Sequence, residues 1–410
     1  MNPTSSVSRT AWLVVALLIP VALLNYLDRQ MLATMKPSMM KDLPDIATAA
    51  NWGFILGSFK WVYAIFSPIG GFLADRISRR HVICFSLFTW SVVTWATGHV
   101  HSYDQLLATR AVMGISEAFY IPAALALIAD YHVGATRSRA IGLHQMGIYL
   151  GVIIGGFAGY AADSPDFGWR GAFGWCGLLG ILYALPLFIF LKNKPAAPEA
   201  VPGINPGQAM ASLARNREFL KLVLYFTLPA MAAWIVRDWM PDILRERFNL
   251  GQGKAGVSAV LYWQVAAIAG VLIGGWIADR WTRQNPRGRI YVSAIGVLLL
   301  LPALFGVGNA STLIVALSFL VVFGFGWGFF DCNSMPILCQ LVGPENRAAG
   351  YGLMNFVSIS CGGFADWIFG ALRDQAVPLN GIFGVFAGIA LLSVGIALSI
   401  RLQPSVSKTS

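Results

Sequence analysis

The chain has 410 residues, of which 57% are hydrophobic and 12% charged, with a mean hydropathy of +0.64. Soluble domains carry roughly 25% charged residues, so a soluble fold could not cover its surface and the chain reads as an integral membrane protein. The net charge of +10 does not form a basic patch with interleaved aromatics, which excludes nucleic acid as a partner.

The N-terminal apolar run from Ala11 passes through Leu24 into Asn25-Tyr26-Leu27-Asp28 without a small-x-small cleavage site, so it reads as a retained first span. A crossing helix needs about 20 mostly apolar residues. Twelve such spans follow in order: 11–34, 51–74, 82–100, 105–131, 140–162, 171–191, 219–241, 255–278, 290–308, 312–341, 348–372 and 381–400. The expected organisation is an N-terminal six-helix bundle over 1–191, a cytoplasmic linker over 192–218 and a C-terminal six-helix bundle over 219–410. The linker is rich in Pro, Ala and Gly and reads as a flexible tether. Glycines inside spans, such as Gly151, Gly155, Gly156 and Gly159, suit close helix approach in lipid.

With the N-terminus inside, one set of loops and tails holds 18 Lys and Arg and the other set seven. The basic side is the cytoplasmic one, so both termini are expected there. The five cysteines show no metal-binding spacing and read as small core residues, and no metal or cofactor is expected. No P-loop, HExxH or nucleophile elbow is present, so neither an ATPase nor a hydrolase, nor any other enzyme, is indicated.

The halves repeat. Gly71-Phe72-Leu73-Ala74-Asp75-Arg76-Ile77-Ser78-Arg79 after span 2 returns as Gly275-Trp276-Ile277-Ala278-Asp279-Arg280-Trp281-Thr282-Arg283 after span 8. Glu117 precedes Pro122 by five positions in span 4, as Asp331 precedes Pro336 in span 10. Parallel six-helix repeats are a transporter architecture. The Gly71–Arg80 segment resembles the loop 2–3 signature of the major facilitator superfamily, which implies an all-α fold of twelve transmembrane helices in two six-helix bundles. Asn25-Tyr26-Leu27-Asp28-Arg29, Phe59-Lys60-Trp61-Val62-Tyr63 and Arg110 to Ala118 resemble motifs of its anion:cation symporter family, the sugar-acid and hexuronate carriers. Spinster-like carriers share some of these pieces. Span 5 lacks the Gly-Pro step of the drug/proton antiporters.

Asp75 and Asp279 have no topological reason to exist and read as gate residues, and Asp75 could face the helix N-terminus near Arg347; Arg79 reads equally as a gate residue or as part of the positive-inside topology. Nine ionisable residues lie inside spans: Asp28, Arg29, Lys60, Arg110, Glu117, Arg237, Asp238, Asp331 and Asp366. Each costs at least ~2.5 kcal/mol near the bilayer centre unless paired or hydrated. Each is therefore either a working group or half of a structural ion pair. Asp28 and Arg29 are adjacent and point about 100° apart, so each needs a partner elsewhere. Arg110 and Glu117 share a helix face, a cationic anchor near a protonatable group. Lys60 either pairs with Asp28 or Glu117 or adds charge for an anionic substrate, with Tyr63 one turn on and Gln264 as its repeat counterpart. Arg237-Asp238, before Pro241, is either solvated, an outer gate or a substrate contact. Asp331 could carry a second proton, Asp366 is a gate or structural group, and His144, Gln145, Asn355 and Ser358 could meet substrate hydroxyls. The resemblance implies that Asp28 is a proton site and Arg29 a carboxylate ligand.

The sequence thus predicts proton-coupled symport of a small organic anion by alternating access. Arg29, Lys60, Tyr63, Arg110, Gln264 and Asn355 would bind substrate, and Asp28, Glu117 and Asp331 would couple protons. The alternative is a spinster-like carrier of lysolipids or other amphiphiles. The expected setting is a lipid bilayer, the bacterial inner membrane, with the chain working as a monomer.

Overall fold

In lipid no water satisfies exposed N–H and C=O groups, so each apolar run must close its own hydrogen bonds as a helix. The computed structural model describes residues 9–76, 78–132, 136–193, 206–343 and 346–402; at 70–76, 138, 206, 207 and 209 it describes the backbone alone. The chain is divided into two compact units, Met1–Pro198 with Arg237–Val260, and Glu199–Val236 with Leu261–Ser410.

All twelve predicted spans are helical. In the first unit they are α1 (Arg9–Thr34), α3 (Ala49–Arg76), α4 (Arg79–Thr97), the pair α5 (Tyr103–Ala118) and α6 (Tyr120–Tyr131), the pair α7 (Arg137–Gly156) and α8 (Ala158–Asp163), and α9 (Gly168–Phe190). A short α2 (Lys36–Asp42), with Pro37 in its first turn, follows α1. Span 4 breaks at Phe119 because Pro122 offers no N–H to the carbonyl four residues back. Its repeat partner does not break: α14 (Leu313–Leu341) runs through Pro336.

The rest of the chain forms α10 (Pro206–Arg215), α11 (Arg217–Phe248), α12 (Gln252–Thr282), α13 (Gly288–Asn309), α14, α15 (Arg347–Asp374) and α16 (Leu379–Ser399). Nine spans among the described residues are long and apolar enough to cross a membrane by length and composition. The linker holds more order than its composition suggested. Leu213 of α10 is buried in the second unit's core with Phe219, Ile290 and Met354, and the Asn216 side chain accepts from the N–H groups of Glu218 and Phe219, capping α11. Residues 194–205 lie outside the described residues.

Apolar burial does not drive helix association in lipid, so close backbone contact must. In the first unit α7 lies along α1 through three glycines. A Cβ on Gly147 would sit 2.7 Å from the Ile19 carbonyl oxygen, on Gly151 2.2 Å from that of Leu23, and on Gly155 2.6 Å from the Gln30 side chain. Gly114 lets α5 approach α3 in the same way, with 2.7 Å from its virtual Cβ to the Phe59 oxygen. These contacts fix the heights of Asp28, Arg29, Phe59 and Arg110. Gly151→Val should therefore separate α1 from α7 at a cost of about 1–3 kcal/mol or more. The expected result is a lower melting temperature in detergent, by comparison with Gly142→Ala, where a Cβ meets nothing within 4 Å.

Candidate functional site

The polar centre of the first unit is assembled from α1, α3, α4, α5 and the Arg237–Val260 segment. Asp28 is 1% exposed and Arg110 2%. The Arg110 Nη1 lies 3.2 Å from Asp28 Oδ1, and Thr94 of α4 donates its hydroxyl to Asp28 Oδ2. Arg29 turns the other way, as its 100° offset requires. Its Nε donates to Glu117 Oε2 at 2.6 Å, and its Nη2 lies 2.6 Å from the same oxygen. The two arginines and two carboxylates on α1 and α5 are thus crossed: Asp28 with Arg110, Arg29 with Glu117.

Aromatic rings box in the Arg29 guanidinium. Its carbon lies 4.8 Å from the Tyr26 centroid, 4.7 Å from Phe59 and 4.9 Å from Tyr63. Phe59 also faces Arg110 at 5.1 Å, and Tyr26 faces Arg237 at 5.0 Å. Such contacts favour a charged guanidinium over a flexible ammonium, because the planar group stacks and is weakly hydrated.

Several buried atoms here have no hydrogen-bond partner: both amide atoms of Asn25, Gln30 Oε1, Arg110 Nε and Glu117 Oε1. Buried polar atoms are nearly always paired, and exceptions concentrate where a protein takes a ligand, an ion or water. The Glu117 carboxylate therefore has one oxygen committed to Arg29 and one open to a proton.

Lys60 is 4% exposed, and its Nζ lies 2.5 Å from Asp238 Oδ2. The expectation of a pair with Asp28 or Glu117 is corrected: its ion-pair carboxylate comes from α11. Asp238 is 8% exposed, which removes the solvated reading of that residue. The reason is helix length. α11 runs to Phe248, past Pro241, so Asp238 and Asp242 lie one turn apart on a buried helix instead of at a span end. Asp242 pairs with Lys36 of α2 and lies 3.5 Å from Arg245 Nε; Lys36 sits 4.6 Å from the Trp239 ring. Nearby, Asp163 accepts from Gln252 Nε2 (2.9 Å) and the Gly253 N–H (3.0 Å), and a Cβ on Gly256 would sit 2.3 Å from the Gly156 oxygen.

His144 is occupied structurally. Tyr120 gives its hydroxyl proton to the Leu18 carbonyl at 3.1 Å, so His144 Nε2, 2.9 Å away, must be the donor to Tyr120. Of the gate residues, Arg79 pairs with Asp130, and Asp279 pairs with Arg289 at 2.5 Å. The Asp75 side chain lies outside the described residues. Gln264, Asp331, Asn355, Ser358 and Asp366 belong to the second unit. There Gln264 and Ser358 are 3% exposed, Asp366 is fully buried, and Asp331 and Asn355 are half-buried.

Sequence reasoning missed Thr94, the ring box of Tyr26 and Phe59, and the Lys36–Asp242 pair. Lys36 and Asp242 were assigned to loops by the span boundaries. The signal that could have recovered Asp242 was its i,i+4 spacing from Asp238.

The profile of the Major Facilitator Superfamily matches residues 18–365. The chain belongs to that superfamily, whose fold is that of membrane transporters and not of enzymes. Protein spinster homolog 1 of Bos taurus is 31% identical over 72% of this chain and 59% of its own length; the chain spans about three fifths of that relative. The probable L-galactonate transporter of Escherichia coli (strain K12) is 28% identical over 87% of this chain and 82% of its own length. Among solved structures, a bacterial homolog of the human lysosomal transporter spinster, inward-facing and unoccupied, superposes with a TM-score of 0.82 over 97% of this chain and 100% of that one, at 20% identity.

Proposed function

We propose that the chain is a secondary active transporter that carries a small organic anion, a sugar acid or similar carboxylate, together with protons. The observation that supports this most is the crossed pairing: each of two buried arginines is held by a carboxylate that a proton can neutralise. Protonation of Glu117 at its open Oε1 weakens its hold on Arg29. The exposed guanidinium fork then matches a substrate carboxylate, which it can bind bidentately. Asp28 and Arg110 form the equivalent pair. Leaving an arginine buried without an anion costs roughly 3–5 kcal/mol, so substrate entry and carboxylate protonation favour each other. Loss of the proton restores the internal pairs and expels the anion. That exchange is what couples the two fluxes.

In this reading the basic loops face the cytoplasm with both termini, the membrane is the bacterial inner one, and the monomer is the working unit. The Gly156–Gly256 contact belongs to the outer gate. Asp75, Arg79 and Asp279 belong to the inner one, where Arg79–Asp130 and Asp279–Arg289 must rearrange on opening. The corresponding cycle is alternating access by the two bundles of a 6+6 division at 192–218. Gln264 and Asn355 would meet substrate hydroxyls, and Asp331 would take a second proton.

The 28% identity to a relative named for L-galactonate supports an acid as the substrate. Proteoliposomes at neutral internal pH should accumulate L-galactonate or D-gluconate at least tenfold better with acid outside than without a gradient. Equal uptake in both conditions would overturn proton coupling. The spinster relatives favour a second reading, an amphiphile such as a lysolipid. It predicts that lysophosphatidylcholine, and not gluconate, stabilises the purified protein in a thermal-shift assay.

A further inference from the structure

The Lys60–Asp238 pair does not take part in the crossed exchange described above, although it is part of the same polar centre. Lys60 lies between Phe59 and Tyr63 in sequence, and Phe59 stacks on both Arg29 and Arg110 while Tyr63 stacks on Arg29. Lys60 and Tyr63, three positions apart on α3, are neighbours on its surface, and the Tyr63 ring lies 4.9 Å from the Arg29 guanidinium, so Lys60 is a third cation of the region. Arg29, Arg110 and Lys60 each hold one carboxylate: Glu117, Asp28 and Asp238.

The three carboxylates are not equivalent. Glu117 comes from α5 and Asp28 from α1, and each pairs with an arginine of the other helix. Asp238 comes from α11, beside Arg237, and one turn before Asp242, which holds a different lysine. An ammonium is a compact point charge with no bidentate fork, and Lys60 is almost fully buried. Whatever carboxylate it holds is not shared with solvent.

We propose that Asp238 is a specificity-determining residue: it holds Lys60 in the way a second substrate carboxylate would, so that the wild-type site selects anions with one carboxylate over those with two. The inference rests on the organic-anion reading given above. A monocarboxylate needs one displaced internal acid, at Arg29 or Arg110. A dicarboxylate offers a second negative end, and where that end reaches Lys60 it meets a cation already matched by Asp238. Entry of that second end must either displace Asp238, leaving it buried near its replacement, or leave two like charges around one lysine. Arg237, next to Asp238 in the chain, has its guanidinium over the Tyr26 ring at 5.0 Å. Neutralising Asp238 turns Lys60 into a second anion-binding point.

The test is binding of D-gluconate, a monocarboxylate, and galactarate, a dicarboxylate of the same carbon number, to purified full-length protein by isothermal titration calorimetry. In Asp238→Asn the ratio of galactarate to gluconate affinity should rise at least tenfold over wild type. Asp242→Asn, one turn along the same helix, should leave that ratio within twofold. The Lys60→Met/Asp238→Asn double variant removes both charges, so it stays foldable if the single variant is not, and its ratio should return to the wild-type value. An unchanged or lower ratio in Asp238→Asn, an equal rise in Asp242→Asn, or a rise that persists in the double variant would each overturn the proposal. Wild-type protein that binds neither acid would instead overturn the organic-anion reading. Gluconate binding by wild type with no galactarate gain in Asp238→Asn would overturn the specificity role alone.

Discussion

Glu117→Gln should abolish accumulation driven by a pH gradient while leaving gluconate exchange across the membrane intact. The amide keeps the size of the side chain and cannot ionise, so Arg29 loses its internal anion and stays ready for a substrate carboxylate at every pH. Release then no longer follows from deprotonation. In proteoliposomes, gradient-driven accumulation should fall at least a hundredfold, to the level of protein-free vesicles. Counterflow with gluconate on both sides should continue. The sign of the pH effect follows from the same pair: wild-type affinity for the anion rises as pH falls and protonates Glu117, and the variant's affinity rises less steeply, through the remaining Asp28–Arg110 pair alone. Gradient-driven uptake by Glu117→Gln equal to wild type would remove Glu117 from the coupling scheme.

Arg29→Lys should be almost as damaging, although it keeps the charge. The guanidinium is engaged edgewise by Glu117 and on its faces by Tyr26, Phe59 and Tyr63. A lysine supplies one hydrated point charge and no planar surface for those rings. Truncating one partner of a desolvated, hydrogen-bonded charge pair costs about 2–5 kcal/mol, so binding of gluconate should weaken by at least thirtyfold by calorimetry. Because the pair persists electrostatically, the protein should remain monodisperse and its melting temperature should change less than in Gly151→Val. A lysine variant that binds gluconate as wild type does would show that the substrate is not held by the Arg29 fork.

Much of the buried polar centre could be read before any coordinates. A charge inside an apolar span is so costly that it marks itself, and this singled out Asp28, Arg29, Lys60, Arg110 and Glu117. The adjacency of Asp28 and Arg29 also established that neither could satisfy the other. It did not say which partner each would take: the crossing of Asp28 to Arg110 and Arg29 to Glu117 depends on the rotation and height of α1 against α5. Those are set indirectly, by the seating of α1 on the α7 glycines and of α3 on Gly114. Lys60 shows the same limit more sharply. The sequence placed it next to the site and offered two partners on nearby helices, and the structure pairs it with a third acid 178 positions away. Hydropathy puts that acid at the outer end of span 7, whereas the helix runs on to Phe248.

The sequence alone determined the solvent, the helical class, the twelve spans and the repeat, because hydropathy, helix period and the cost of unpaired backbone in lipid are local properties of the chain. It also determined which buried charges needed partners. The tertiary structure decided the pairing of those charges, the ring box around Arg29 and the burial of Asp238 and Asp242. Each of these depends on contacts between segments distant in the chain, which no spacing within one helix encodes.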